Sequence, residues 1–289
     1  MIPTNLFSVS GNETEFIEYI KEMVGGETDN LGSLVVKRPG NGKKIAISCF
    51  VDEPGVFVTD TSDGIRFALI GKAEPSSLKN RTVRFKDGTM GVICSKKTDD
   101  LKIGDMFIVA DGDVKIGDVA RFELDEIKNG NKISGFSVDK GAVVSVVTSL
   151  LESLGNSEYV LTFMFTTMYK IGKKGLYASI LENNPDYTIV VDTASCDKIK
   201  CGCGPVVKVT EGSYTADNLL HSFAKEKGMF LTAMKDPEIP APNSFMVGGV
   251  CGYVSIPAEK NDGFITIDTT DVDKTTEFIK EFVAKINEI

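Results

Sequence analysis

The sequence contains one histidine, His221, no tryptophan and only six cysteines among 289 residues. A single histidine excludes any zinc centre that takes two imidazoles from the same chain. It also leaves a serine–histidine or cysteine–histidine nucleophile only His221 as its base. Six cysteines are too few for a secreted disulfide scaffold. Basic side chains are in deficit as well: 32 Lys and Arg against 41 Asp and Glu, a formal charge of −9. Phosphates and anionic headgroups are bound by cationic faces, so neither nucleic acid nor a membrane is an expected partner. No apolar run reaches the roughly 18 residues of a bilayer span. Met1 to Asn12 has neither the basic nor the apolar region of a secretory leader. The expectation is a soluble, cytoplasmic protein.

What is present is an ordinary globular balance, 42% hydrophobic and 25% charged, long enough for one large domain or two ordinary ones. An N-terminal helix is expected, capped by Ser10 or Asn12, with Phe16, Ile17, Ile20 and Met23 as its apolar stripe and Gly25-Gly26 at its end. Leu34 to Lys37 and Lys44 to Phe50 read as strands, the second apolar enough to be covered on both faces. Short strand-like runs follow at Val56 to Thr59, Ile65 to Ile70, Thr82 to Phe85, Gly91 to Cys94, Met106 to Ala110 and Val119 to Leu124. Turn dipeptides such as Asp63-Gly64 and Asp87-Gly88 separate them, a rhythm that predicts a small β-barrel or sandwich. After Gly135 helices are expected over Gly141 to Leu154, Gly175 to Leu181, Thr215 to Lys227 and from Val272. They alternate with strands at Tyr159 to Phe165, Tyr187 to Val191, Val206 to Val209 and within Phe245 to Ile256, the last closed by Pro257. The fold class is therefore α/β, with a mixed, largely parallel central sheet flanked by helices. The β-barrel region, 57–133, is an insertion into an α/β domain formed by 1–56 and 134–289.

In such sheets ligands bind beyond the carboxyl ends of the strands. Those ends carry Asp52-Glu53, Thr167 to Lys170, Asp192 and Pro257 to Glu259, and Asp139-Lys140 lies where the chain re-enters the α/β domain, just before a helix. Their shared placement marks a cleft more strongly than any one of them does. Other signals read as structural. His221 sits among Leu219, Leu220 and Phe223 on an amphipathic helix. Cys49, Cys94 and Cys251 lie in apolar runs and read as core thiols. Cys196, Cys201 and Cys203 lack the paired spacing of a zinc site. Gly248 to Gly252 does not match a dinucleotide fingerprint.

Several segments, in order, are similar to one family. Asp29 to Leu34 followed by Lys44 to Gly55 resembles the opening of the glutamyl and deblocking aminopeptidases, cellulase-M-like two-metal peptidases that form tetrahedral assemblies. Ile133 to Asp139 resembles the family's re-entry segment, and Ile171 to Gly175 the loop after its catalytic glutamates. Val190 to Asp192 with Gly202 to Pro205, and then Tyr253 to Pro257, resemble the strands that follow. The resemblance covers nearly the whole chain.

It also implies which site residues have changed. Phe50 stands where the family's first metal-binding histidine is expected, and Asp52 at the position that orients that histidine. Asp139 matches the metal-bridging aspartate, followed by Lys140 in place of an acid. Tyr169 and Lys170 match the paired glutamates, one a general base and one a ligand. Asp192 matches the next carboxylate ligand. No histidine follows the Ser255-Ile256-Pro257 strand, and Ala241 to Gly248 lacks the expected threonine-aspartate segment. Asp139 and Asp192, the only retained ligands, cannot hold two divalent cations tightly. Tyrosine, with an ordinary pKa of about 10, is a poor base near neutrality. The expectation is a vestigial cleft of Phe50, Asp52, Asp139, Lys140, Tyr169, Lys170 and Asp192, with no metal or other cofactor. A lysine replaces the lost positive charge; Lys170 is favoured over Lys140, which is covalently next to Asp139. Such a chain is a non-catalytic binding or regulatory subunit that self-associates or joins an active homologue, with a peptide or small ligand as a further partner. The alternative is an active, divergent metallo-aminopeptidase with a different zinc or cobalt arrangement.

Overall fold

The structure, a computed structural model, describes residues 4–123, 125–155, 158–196, 201–210, 217–234, 250–261 and 264–286. Helix α1 (Thr14–Val24) buries Phe16, Ile17 and Ile20. Met23, at the rim of that stripe in the last turn, is 46% exposed rather than packed. Ser10 and Asn12 do not cap the helix: Glu13 holds the cap position, and the Ser10 hydroxyl donates to Asp52 instead. Strands β1 (Glu27–Thr28), β2 (Leu34–Arg38) and β3 (Lys44–Phe50) follow. From Ile45 to Phe50 every β3 side chain is buried, as a strand covered on both faces requires.

Next come β4 (Gly55–Asp60), β5 (Arg66–Ile70), β6 (Thr82–Phe85), β7 (Met90–Ser95), β8 (Met106–Ala110) and β9 (Val119–Phe122). They form an antiparallel sheet ordered β5-β4-β9-β6-β7-β8, and an Ile65–Ile108 bridge draws its two ends together into a nearly closed barrel. Val56, Phe67, Val83, Phe85, Ile93, Ile108 and Phe122 fill it. Strands β10 (Ile127–Asn129) and β11 (Lys132–Gly135) leave this sheet and pair into the larger one. The sequence boundary between 133 and 134 therefore falls inside a strand of the large sheet.

Helix α2 (Val138–Ser153) starts earlier than its apolar pattern indicates, so Asp139 and Lys140 lie in its first turn rather than before it. The chain continues through β12 (Val160–Thr166), α3 (Lys174–Asn183), β13 (Tyr187–Ser195), β14 (Val206–Thr210), α4 (Asp217–Glu226) and β15 (Phe230–Met234). It ends with β16 (Val250–Asn261), β17 (Phe264–Asp268) and α5 (Thr269–Lys285), which the Asp268 side chain caps. The large sheet runs β1-β2-β12-β3-β13-β16-β17-β11-β10, with β14 on β16 and β15 on β14. Its centre, β12-β3-β13-β16, is parallel and its flanks are mainly antiparallel. Pro257 does not end β16. On one side of β16 the ladder to β14 reaches Ser255 and the ladder to β17 begins at Ala258, so Pro257 has no registered partner there, while on the other side it pairs with Ala194 of β13. The expected helix start at Thr215, the Ala241 to Gly248 segment and Gly248-Gly249 lie outside the described residues.

Cys49 is buried, but Cys94 and Cys251 are only half-buried. Cys94 shares the outer face of β7 with exposed Val92, while Ile93 points inward. Cys196 and Cys201 form a disulfide, which their spacing in the sequence did not indicate. No helix among the described residues is long and apolar enough to cross a membrane.

Candidate functional site

The parallel centre of the sheet sets the site. Register pairs Phe50 of β3 with Thr166 of β12, and Cys49 with Val191 of β13, so Phe50, the turn after β12 and Asp192 reach the same end of the sheet. The turn after β12 is held by buried carboxylates. Met168 N donates to Glu13 Oε1 at 2.7 Å and Lys170 N to Asp52 Oδ2 at 2.7 Å. Met168 takes a left-handed backbone, φ 52°, a conformation that persists in a non-glycine residue only when its surroundings enforce it. The reversal brings Tyr169 and Lys170 back over the strand ends.

There Tyr169 stacks on Phe50 with ring centroids 5.1 Å apart, and the Lys170 ammonium lies 3.8 Å above the Phe50 ring. Lys170 Nζ donates to Asp139 Oδ2 at 3.0 Å, from a side chain still 23% exposed. Tyr169 OH donates to Asp192 Oδ2 at 3.1 Å. That same oxygen accepts from Lys208 Nζ at 3.0 Å, and Lys208 also donates to Thr193 O at 2.9 Å. Phe50, Asp52, Asp139, Tyr169, Lys170 and Asp192 thus come together. Glu259 does not join them; it pairs with Lys132 on β11. His221 lies on α4 beside buried Leu220 and Phe223.

Lys140 makes a second buried centre. Its ammonium, fully buried, donates to Ser8 Oγ at 2.6 Å and Glu53 Oε2 at 3.2 Å. Glu53 also faces Arg121 of β9 at 3.1 Å and accepts from Ser137, while Arg121 donates to the carbonyls of Thr4 and Asn5. This knot joins the N-terminal segment, the barrel and α2.

Burial and charge set the protonation of these groups. Burial pulls the Lys170 ammonium down, but Asp139, Asp52 and Asp192 outweigh it and hold its pKa above the ordinary value. Burial likewise works to raise Asp192, but Lys208 and then Lys170 hold it well below the usual carboxylate range. Burial lifts Asp52 despite Lys170, and its Oδ1 has no hydrogen-bond partner among the described residues. Burial, reinforced by Asp192, pushes the Tyr169 phenol far above its ordinary value, so it is a donor and not a base at neutral pH. Burial also lowers Lys140 against the pull of Glu53.

The residue that sequence reasoning missed is Lys208. A lysine between two valines of a buried strand is its only signal, and such a charge must be paired. Its partner Asp192 comes from a different strand.

A mixed sheet with a barrel-like companion and a charged cleft at its parallel strand ends defines an aminopeptidase-like α/β protein. The chain belongs to the M42 glutamyl aminopeptidase family, whose model matches residues 32–229. It is 32% identical over 237 residues, 73% of this chain and 72% of the relative, to an aminopeptidase-like protein of Acetivibrio thermocellus. Its fold is similar to that of the aminopeptidase APDkam598 from Desulfurococcus kamchatkensis, with TM-score 0.85 and 22% identity over 97% of this chain and 92% of the other. The TET1 peptidase of Pyrococcus horikoshii, described as assembling into a tetrahedron or a large octahedral shell, matches with TM-score 0.79 and 22% identity over 96% of both chains.

The described residues do not fit the pair of divalent cations that the family resemblance implies. Asp139 Oδ2 is bonded to one ammonium and Asp192 Oδ2 to another, and Phe50 presents a ring that the Lys170 ammonium covers. Among the described residues no three His, Cys, Asp or Glu side chains gather into a metal-binding group.

Proposed function

We propose that this chain is a non-catalytic aminopeptidase-family subunit, which keeps the fold and cleft but has exchanged the two-metal centre for two lysine ammonium groups. The observation that carries this reading is the pairing of Lys170 with Asp139 and of Lys208 with Asp192, each at 3.0 Å. An ammonium at that distance supplies the positive charge that a desolvated carboxylate needs, and it occupies the oxygen a cation would take. Tyr169 at the general-base position supports the same reading, since its phenol stays protonated. The subunit binds a peptide or small ligand in the cleft, or regulates a partner, and it associates with copies of itself or with an active homologue. The assemblies described for the Pyrococcus horikoshii peptidase support self-association.

The test is cleavage of a panel of aminoacyl p-nitroanilides and short peptides by purified protein supplemented with zinc, cobalt or manganese. The reading predicts no turnover above the metal-only blank for any of them. Metal-dependent release of an N-terminal residue would replace it with the divergent hydrolase.

A further inference from the structure

The stretch between β13 and β14 joins the two carriers of the Asp192–Lys208 pair, and three of the six cysteines lie in it. Cys196 directly follows β13 and is bonded to Cys201, and both are half-buried. Cys203 is a free, exposed thiol. The backbone around it is fixed. Gly202 N and Gly204 N each donate to the Asp271 carboxylate of α5 at 2.7 Å, and Lys274 Nζ donates to Gly202 O at 2.7 Å. Gly202 and Gly204 have φ of 89° and 103°, a region that suits glycine and lets both amides face Asp271 while the Cys203 thiol faces water. Cys203 is thereby held outward, and Cys201 is left to pair with Cys196.

We propose that Cys196–Cys201 is a thiol–disulfide exchange site, open to a low-molecular-weight thiol in the native protein. Two features set it apart from a bond that only holds the fold. The cysteines are five residues apart, and so short a loop restrains the unfolded chain less than a long one would. The strands on either side are each paired with β16, so register survives when the bond opens. In the reaction a small thiolate attacks Cys201 Sγ, the bond to Cys196 breaks, and Cys196 leaves as a thiolate that takes up the proton given up by the attacking thiol. A second small thiol attacks the small-molecule sulfur of the mixed disulfide and releases Cys201, protonated in the same way. Two thiols are oxidised to their disulfide, and the protein gains two cysteine thiols. The proposal does not depend on whether the cleft is catalytic.

The experiment uses the full chain, purified with thiols blocked at lysis, and reads native alkylation by peptide mass spectrometry before and after reduced glutathione. Untreated protein is expected to carry the lysis block at Cys203, with Cys196 and Cys201 neither blocked nor labelled. Glutathione in native buffer should expose both to labelling and lower Tm by about 3 °C. Cys196→Ser should show the lower Tm at the outset and no response to glutathione. Labelling of Cys196 and Cys201 in untreated protein, or their reduction only after denaturant is added, would overturn the proposal.

Discussion

Lys208 holds a charge at a position 3% exposed, and Asp192 is the only carboxylate bonded to it among the described residues. Removing one member of a buried pair leaves the other uncompensated, a loss of about 3 kcal/mol, whereas removing both is far milder. Lys208→Met is therefore expected to lower unfolding free energy in urea by about 3 kcal/mol, and Lys208→Met with Asp192→Asn to recover most of that. Equal losses in the single and double variants would mean that the pair is not coupled. The pH dependence follows from the depressed Asp192 pKa. In the unfolded chain this carboxyl protonates near its ordinary value of about 3.9, while in the folded protein it stays ionised to lower pH. Its stabilisation is thus present above that value and is lost as pH falls through the folded pKa. Asp192→Asn should flatten the loss of stability measured by urea melts below about pH 4.

The elements act on the site through the turn after β12, on which the first turn of α3 is seated. A Cβ added at Gly175 would lie 2.4 Å from Thr167 O and 2.7 Å from Ser33 Oγ, contacts that real side chains do not make. Alanine improves helix propensity by about 1 kcal/mol, yet here it must push α3 off the turn that presents Tyr169 and Lys170. Gly175→Ala is expected to lower Tm despite that gain; an unchanged or higher Tm would show that the seat is not tight. At this scale the sequence was legible where periodicity alone decides, as in β3, α3 and α5. It was not legible where a partner decides. Pro257 stops a strand only if its N–H is needed, and the sequence does not show that β14 and β17 leave that position bare. Neither does it show that β11, short and turn-flanked like the barrel strands, finds its partner in β17 and carries β10 with it into the large sheet.

For the whole molecule, the order of motifs made the fold class and the positions of Phe50, Asp139, Tyr169, Lys170 and Asp192 readable from sequence. The pairing of charges was not readable, because it depends on register between distant strands. Lys140 was the lesser candidate for the cation space, yet it is fully buried in a separate knot with Glu53. The 31.3 kDa chain is expected to sediment as an assembly of several copies in analytical ultracentrifugation; a single monomeric boundary at micromolar concentration would contradict self-association. The central claim, that lysines stand in for the metal pair, is tested most directly by metal stoichiometry. Protein is dialysed against zinc or cobalt, passed through gel filtration and analysed by mass spectrometry for metal per chain. The account predicts that neither ion is retained stoichiometrically by the native chain, and retention of one or two cations per chain would contradict it.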